Sequence, residues 1–180
     1  MTGKKNLLIW SLSGFIIVVM LGFIFHFVYD WTNKSTLIGA FVPVNESVWE
    51  HLKLGLWGVI TFSFVEYKFL GKTVGNYFLA KGLGILLISL TILLIYYSYS
   101  NFTEKSILAL DITSYIVGVL FCQIVSYKIY QTPNSKIRNV LALCFILLTC
   151  IVFAIFTYYP PQQEIFKDSR NNTHGIYKIE

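Results

Sequence analysis

Two carboxylates and an imidazole occur together in the run Pro43-Val44-Asn45-Glu46-Ser47-Val48-Trp49-Glu50-His51. The apolar stretch that follows, residues 54–65, is too short to cross a bilayer alone, so a helix built on it carries ionisable groups at membrane depth. Such groups are costly there and indicate a functional site. The sequence therefore locates a candidate site, although it does not name a reaction.

Glu46 and Glu50 are four residues apart and share one face if this segment is helical. Two adjacent carboxylates repel, so they should share a proton, recruit a cation or pair with Lys53. A purely structural interpretation is also open, because Asn45 suits an N-cap and acids in the first turns favour the helix dipole. The segment lacks a His-Glu-x-x-His signature, and a metal site here depends on residue type more than on spacing.

Other candidate residues are spread along the chain. His26 and Asp30 are four apart and can pair, although a structural role is the favoured interpretation of that pair taken alone. Asp111 lies among apolar neighbours and needs a partner, and His174 lies in the polar tail. The predicted metal ligands are His26, Glu46, His51 and His174, with Glu50 and Asp111 as catalytic carboxylates. The expected cofactor is a divalent transition metal such as zinc.

The composition predicts a membrane protein of the all-α class. Hydrophobic residues make up 56% of the 180, and charged residues only 13%. Five apolar stretches have helical length and no alternating strand pattern, which favours a polytopic transmembrane helical bundle over a β-barrel. We place these spans at residues 7–29, 48–67, 78–97, 107–127 and 140–159.

The distribution of positive charge predicts the orientation in the cell membrane. Basic residues precede the first span and fill the second and fourth connections, so the N-terminus should lie inside and the C-terminus outside. Lys81 is expected to reach back to the inner interface. The basic residues form no cluster with interleaved aromatic residues, so no nucleic-acid partner is expected. The three cysteines are expected to be packing residues.

We expect one domain, residues 1–160, followed by a polar extracytoplasmic tail, residues 161–180. Residues 35–45 are apolar but short, and form either a re-entrant or interfacial segment or a plain surface loop. Pro160 and Pro161 end the last helix. The tail is either a docked lid over the outer mouth of the bundle or a loose end.

Three segments carry a resemblance to a known family, and the Asn-Glu-Ser-x-Trp-Glu-His core is its most specific part. The chain resembles a family of small bacterial multi-pass membrane proteins catalogued as a domain of unknown function. The resemblance covers nearly the whole chain and implies that Glu46, Glu50, His51 and His174 form one group, without implying an activity. It is carried by residues 25–31, by 41–53, and by 158–161 together with 174–177.

Two functions fit these residues. The first is a metal-dependent hydrolase that acts on a lipid or lipid-linked substrate at the outer leaflet, with membrane lipids as its partners. The second is a small transporter, or a cation- or proton-binding or immunity-type membrane protein without catalysis. Transport needs an ionisable path that continues inward, whereas the sequence shows no internal repeat and places only Glu66 among the acids on the inner side. A homodimer could supply the missing symmetry.

Overall fold

The chain folds as a helical bundle in a computed structural model that describes residues 3–103 and 106–176. Secondary structure in this part is helical apart from one isolated β-bridge, which confirms the all-α class. Five long helices and two short ones follow in order. They are α1 (Lys4–Trp31), α2 (Thr36–Gly39), α3 (Val48–Leu70), α4 (Tyr77–Thr103), α5 (Leu108–Tyr130), α6 (Lys136–Tyr158) and α7, a 3-10 turn (Glu164–Phe166).

The N-cap of α3 differs from the expected one. The hydroxyl of Ser47 accepts a hydrogen bond from the backbone N–H of Glu50, so Ser47 is the capping residue. Asn45 lies two residues before Ser47, and its side-chain oxygen accepts a hydrogen bond from the N–H of Ser47, which closes a turn. The helix therefore begins at Val48, and the loop ahead of it has a fixed shape.

The pairs α1/α3 and α4/α5 run in opposite directions and approach each other at glycines. A Cβ at Gly58 in α3 would contact Val18 in α1 at 3.3 Å, and one at Gly118 in α5 would lie 3.0 Å from the backbone of Ile88 in α4. These close approaches pack the centre of the bundle tightly. Its core includes Val18, Val59, Ile88 and Val119, each at most 1% exposed.

Four helices, α1, α4, α5 and α6, are long and apolar enough to cross a membrane. α3 was predicted as a fifth span and forms over 23 residues, but it does not meet the same criterion. Its sequence contains four charged side chains, and three of them, Glu50, Lys53 and Glu66, are buried inside the bundle. Among the described helices, α3 thus buries the most charged side chains.

Lys81 does not extend to an interface as expected. It is 2% exposed, and its ammonium group pairs with the carboxylate of Glu66. Desolvating an ammonium group is costly unless a carboxylate compensates, which explains why this lysine remains inside.

Residues 36–47 and the tail both pack against the end of the bundle where α3 begins. The hydroxyl of Tyr158 donates to the carbonyl of Thr36, which fixes α2 beside the end of α6. In the tail, Phe166 is buried against the ring of Trp49 at 4.7 Å between centroids. We call residues 161–176 the strap, because they return across this end and are docked there. Residues 177–180 lie outside the described part of the chain.

Candidate metal site

Three of the predicted metal ligands converge at this end of the bundle. The Nε2 atoms of His26 and His51 are 3.2 Å apart. One carboxylate oxygen of Glu46 lies 3.8 Å from the first and 3.5 Å from the second. All three side chains are about a quarter to a third exposed, so the group is reachable from solvent. We call these residues the His/Glu cluster; together they could hold a metal ion.

The orientation of His51 is set from within its own helix. Its Nδ1 lies 2.8 Å from the backbone carbonyl of Ser47, one turn earlier. Because a carbonyl can only accept, Nδ1 carries a proton, and the neutral form of the ring directs the lone pair of Nε2 at the cluster. This is the arrangement that a metal-binding imidazole requires.

The strap contributes the cation that faces Glu46. A guanidinium nitrogen of Arg170 lies 3.0 Å from the second carboxylate oxygen, on the side away from the imidazoles. When His51 is protonated, its Nε2–H donates to Glu46. That hydrogen bond, with the nearby charges of His51, His26 and Arg170, holds the pKa of Glu46 below its ordinary value despite partial burial. Glu46 is therefore an anion at neutral pH, as a ligand must be.

Glu50 and Lys53 hold the loop that carries Glu46. They form a buried ion pair of 2.6 Å, with side chains 2% and 0% exposed. The ammonium group also donates to the carbonyls of Gly39, at 2.8 Å, and Val42, at 3.3 Å. The carboxylate accepts from the backbone N–H of Val44 at 3.0 Å. The pair thus attaches residues 39–44 to α3 and fixes the position of Glu46 two residues later.

The other predicted site residues lie outside the three-residue cluster. Both oxygens of Glu50 are engaged, since the second accepts from the hydroxyl of Thr157 at 3.2 Å. Asp111 accepts a hydrogen bond from the hydroxyl of Tyr99. His174 forms the β-bridge with Lys167 within the strap.

A small polar pocket opens beside the cluster. Its volume is about 130 Å³. The walls combine both signs of charge, with Lys34 and Arg170 facing Asp30, Glu46 and Asp168. A pocket of this size holds a few waters or one small polar group.

Two contributors to the site were not predicted from the sequence. Arg170 lies in a polar tail, and no local pattern pairs it with a residue 124 positions earlier. Asn45 was noticed as a cap, but its amide nitrogen also donates to the carbonyl of Gly175 and joins the loop to the strap. For this contact the sequence offers one signal, the glycine itself, because Gly175 has a φ of 65°, which glycine adopts at no steric cost.

The fold and the cluster define a class: a small helical bundle with a His₂Glu group at one end. The model of the Family of unknown function (DUF6512) matches residues 2–176, and the chain belongs to that family. This confirms the resemblance to an uncharacterised family. No protein of curated function matches the chain, and no solved structure does.

Proposed function

We propose that the chain is a multi-pass integral membrane protein whose His/Glu cluster binds a divalent transition metal such as zinc. Four helices of sufficient length and apolarity support the membrane assignment. Large apolar side chains are exposed along them, for example Leu12, Leu94 and Leu148 at 56%, 70% and 60%. A water-soluble bundle would hide such faces, whereas lipid covers them.

The single observation that carries the metal assignment is the spacing of the three ligand atoms. Tetrahedral zinc holds nitrogen and oxygen ligands at about 2.0–2.1 Å, so neighbouring ligand atoms lie about 3.3–3.4 Å apart. The separations of 3.2, 3.5 and 3.8 Å are close to those edges. Two histidines and one glutamate also leave one position for water or substrate, which is the pattern of catalytic rather than structural zinc.

Within that proposal we assign a hydrolase of a lipid or lipid-linked substrate. A bound zinc would supply Lewis acidity and lower the pKa of a water at the open position. The cluster lies at the end of the spans, and Trp31 and Phe41, which are 69% and 44% exposed, lie at the same end. Aromatic side chains of this kind favour the membrane interface, where a lipid headgroup would meet the site.

The carboxylates take different roles in this scheme. Asp111 is the proposed general base, because it is half-buried at the end of the bundle where the cluster lies: it is one turn from Tyr115, which packs on Gly22, and His26 is one turn beyond Gly22. Glu50 is a positioning residue, because its oxygens already accept from Lys53, Val44 and Thr157. Arg170 counters the charge of Glu46 and would be the first contact to shift when a metal or an anionic substrate enters.

A second function, cation or proton binding without catalysis, is favoured by one observation. The pair of Glu66 and Lys81 places ionisable groups deep in the bundle. α3 has about 1.5 Å of rise per residue, so Glu66 lies about 22 Å from His51 along the helix. Val18, Val59 and Ile88 fill the space between with apolar packing, so the two groups would bind separately and would not form a transport path.

The test is metal analysis of the full-length protein, purified in detergent without chelator and incubated with one equivalent of zinc before desalting. We expect about one zinc per chain, and loss of it in His51→Ala and His26→Ala. The matched control is His174→Ala, which removes an imidazole outside the cluster and should retain the metal. Wild-type protein without zinc, or His51→Ala with full occupancy, would refute the metal site.

Lipid analysis then separates the two functions. Cells producing wild-type protein should differ from cells producing Asp111→Asn in a lipid or lipid-linked pool, while both proteins retain zinc. Equal pools with retained zinc would favour binding without catalysis over hydrolysis.

A further inference from the structure

A second polar group lies near the opposite end of the bundle, where α1 begins and α3 ends. One oxygen of Glu66 pairs with Lys81 and accepts from the hydroxyls of Tyr77, at 2.9 Å, and Tyr130, at 3.2 Å. The ammonium group also lies 5.4 to 5.7 Å from the ring centroids of Phe62, Tyr77 and Tyr130. This oxygen of the carboxylate is fully engaged.

Several other polar atoms at this end have no hydrogen-bond partner among the described residues. They are the second oxygen of Glu66, both side-chain polar atoms of Gln123 and the hydroxyl oxygen of Ser11. The residues that carry them are 0%, 4% and 8% exposed, respectively. Buried polar groups are rarely left unsatisfied, and each such atom implies a ligand or an ordered water.

The helix register places these atoms within about one helical turn of one another along the bundle. A Cβ at Gly14 would lie 2.8 Å from both the amide oxygen of Gln123 and the ring of Phe62, so α1, α3 and α5 meet there. Ser11 is one turn below Gly14 on α1, and Glu66 is one turn beyond Phe62 on α3, which runs the opposite way. Ser11 and Glu66 are therefore displaced from Gly14 and Phe62 toward the same end of the bundle. We call Ser11, Glu66, Lys81 and Gln123 the Glu66 layer.

We propose that the Glu66 layer is a water-binding site, in which a small cluster of ordered waters joins Ser11 and Gln123 to the free oxygen of Glu66. The hydrogen-bonding capacities match. The carboxylate oxygen and the amide oxygen accept, the amide nitrogen and the ammonium group donate, and the Ser11 hydroxyl does both. Water can satisfy all of them, since one buried water makes about three hydrogen bonds.

Charge favours water over a metal cation as the occupant. Lys81 already neutralises Glu66, so an added cation would face an ammonium group inside a low-dielectric bundle. Gln123 and Ser11 add no charge. The bundle would therefore contain a hydrated ionic site that is separate from the His/Glu cluster, and this inference does not depend on the metal proposal.

The test is whether Gln123→Leu lowers or raises the Tm of the protein. If waters satisfy the amide, Gln123→Leu removes their partner and strands the free oxygen of Glu66, and Tm should fall by about 2–6 °C. If the layer is dry, the same substitution removes an unsatisfied amide from an apolar site, and Tm should rise. The matched control is Thr91→Val, because the Thr91 hydroxyl donates to the Leu87 carbonyl within its own helix. Its Tm should change by less than about 2 °C.

A second measurement keeps the proposal testable if Gln123→Leu does not fold. The carboxylate band of Glu66, assigned as the infrared band that Glu66→Gln lacks, should shift within minutes when the folded wild-type protein is moved from H₂O to D₂O, because bound water exchanges. An unshifted band after hours would overturn the proposal. A Tm that rises with NaCl but not with choline chloride would also overturn it, in favour of a monovalent cation.

Discussion

Replacing Lys53 with methionine removes the cation around which residues 39–44 are arranged. The side chain is 0% exposed, and its ammonium group contacts Glu50 at 2.6 Å and two backbone carbonyls at 2.8 and 3.3 Å. Methionine fills nearly the same volume, so the packing loss is small. What remains is a buried carboxylate without its counter-charge, which costs about 3–5 kcal/mol.

The free energy of unfolding is measured by denaturant titration in detergent, for wild type, Lys53→Met, Glu50→Leu and the double variant. Each single substitution should destabilise by about 3–5 kcal/mol, and the double variant by less than the sum. The matched control is Lys167→Met. Its pair with Glu164 has the same spacing of three residues but is 3.4 Å long, with side chains 34% and 84% exposed. That substitution should change stability by less than about 1 kcal/mol.

Zinc content of the same variants links the ion pair to the site. Lys53→Met should bind less zinc than Lys167→Met, because the loop that it releases carries Glu46. A loss below about 1 kcal/mol for Lys53→Met, or strict additivity with Glu50→Leu, would contradict the argument that this pair organises the loop.

Two further predictions concern the strap and the cluster. The lowered pKa of Glu46 adds stability that is fully present above its ordinary value of about 4.5 and is lost as pH falls through the folded value. The Tm of wild type should therefore exceed that of Glu46→Gln by about 1–3 °C at pH 6, and the difference should shrink by pH 3; a constant difference would contradict this. Gly175→Ala places a Cβ 2.9 Å from the Thr157 carbonyl at a φ of 65°, so the strap should undock more often, and trypsin should cleave after Arg170 about 5–30 times faster. Gly3→Ala, with open space around it, is the control, and equal cleavage rates would refute the role of Gly175.

The sequence predicts the long helices well, because hydropathy over 20 residues is a local property. The helix predicted at 48–67 forms as Val48–Leu70, and the one at 78–97 forms as Tyr77–Thr103. The ends differ by a few residues, since caps and loops decide them. Ser47 rather than Asn45 caps α3, a choice between two good capping residues that depends on how the preceding loop folds.

The partners of the buried charged residues and of the His/Glu cluster were harder to predict. Glu50 and Lys53 are three apart on one helix, so their pairing was visible as one of several options. The partner of Glu66 is 15 residues away, and identifying Lys81 requires the register of α3 against α4. The meeting of His26, Glu46 and His51 likewise depends on where a 16-residue connection returns the chain. Residue type indicates what such groups can do, but only tertiary packing decides which of them meet.

The burial of Glu66 against Lys81 has a consequence for biogenesis. In the membrane protein proposed above, a helix enters the bilayer unaided when its own hydropathy suffices, and four of the described helices are long and apolar enough for this. α3 carries Glu50 and Lys53 as an internally neutralised pair, but its Glu66 finds a counter-charge only on the next helix. We therefore expect α3 and α4 to integrate together as a helical hairpin, and a nascent chain halted before Lys81 emerges to hold α3 outside the lipid.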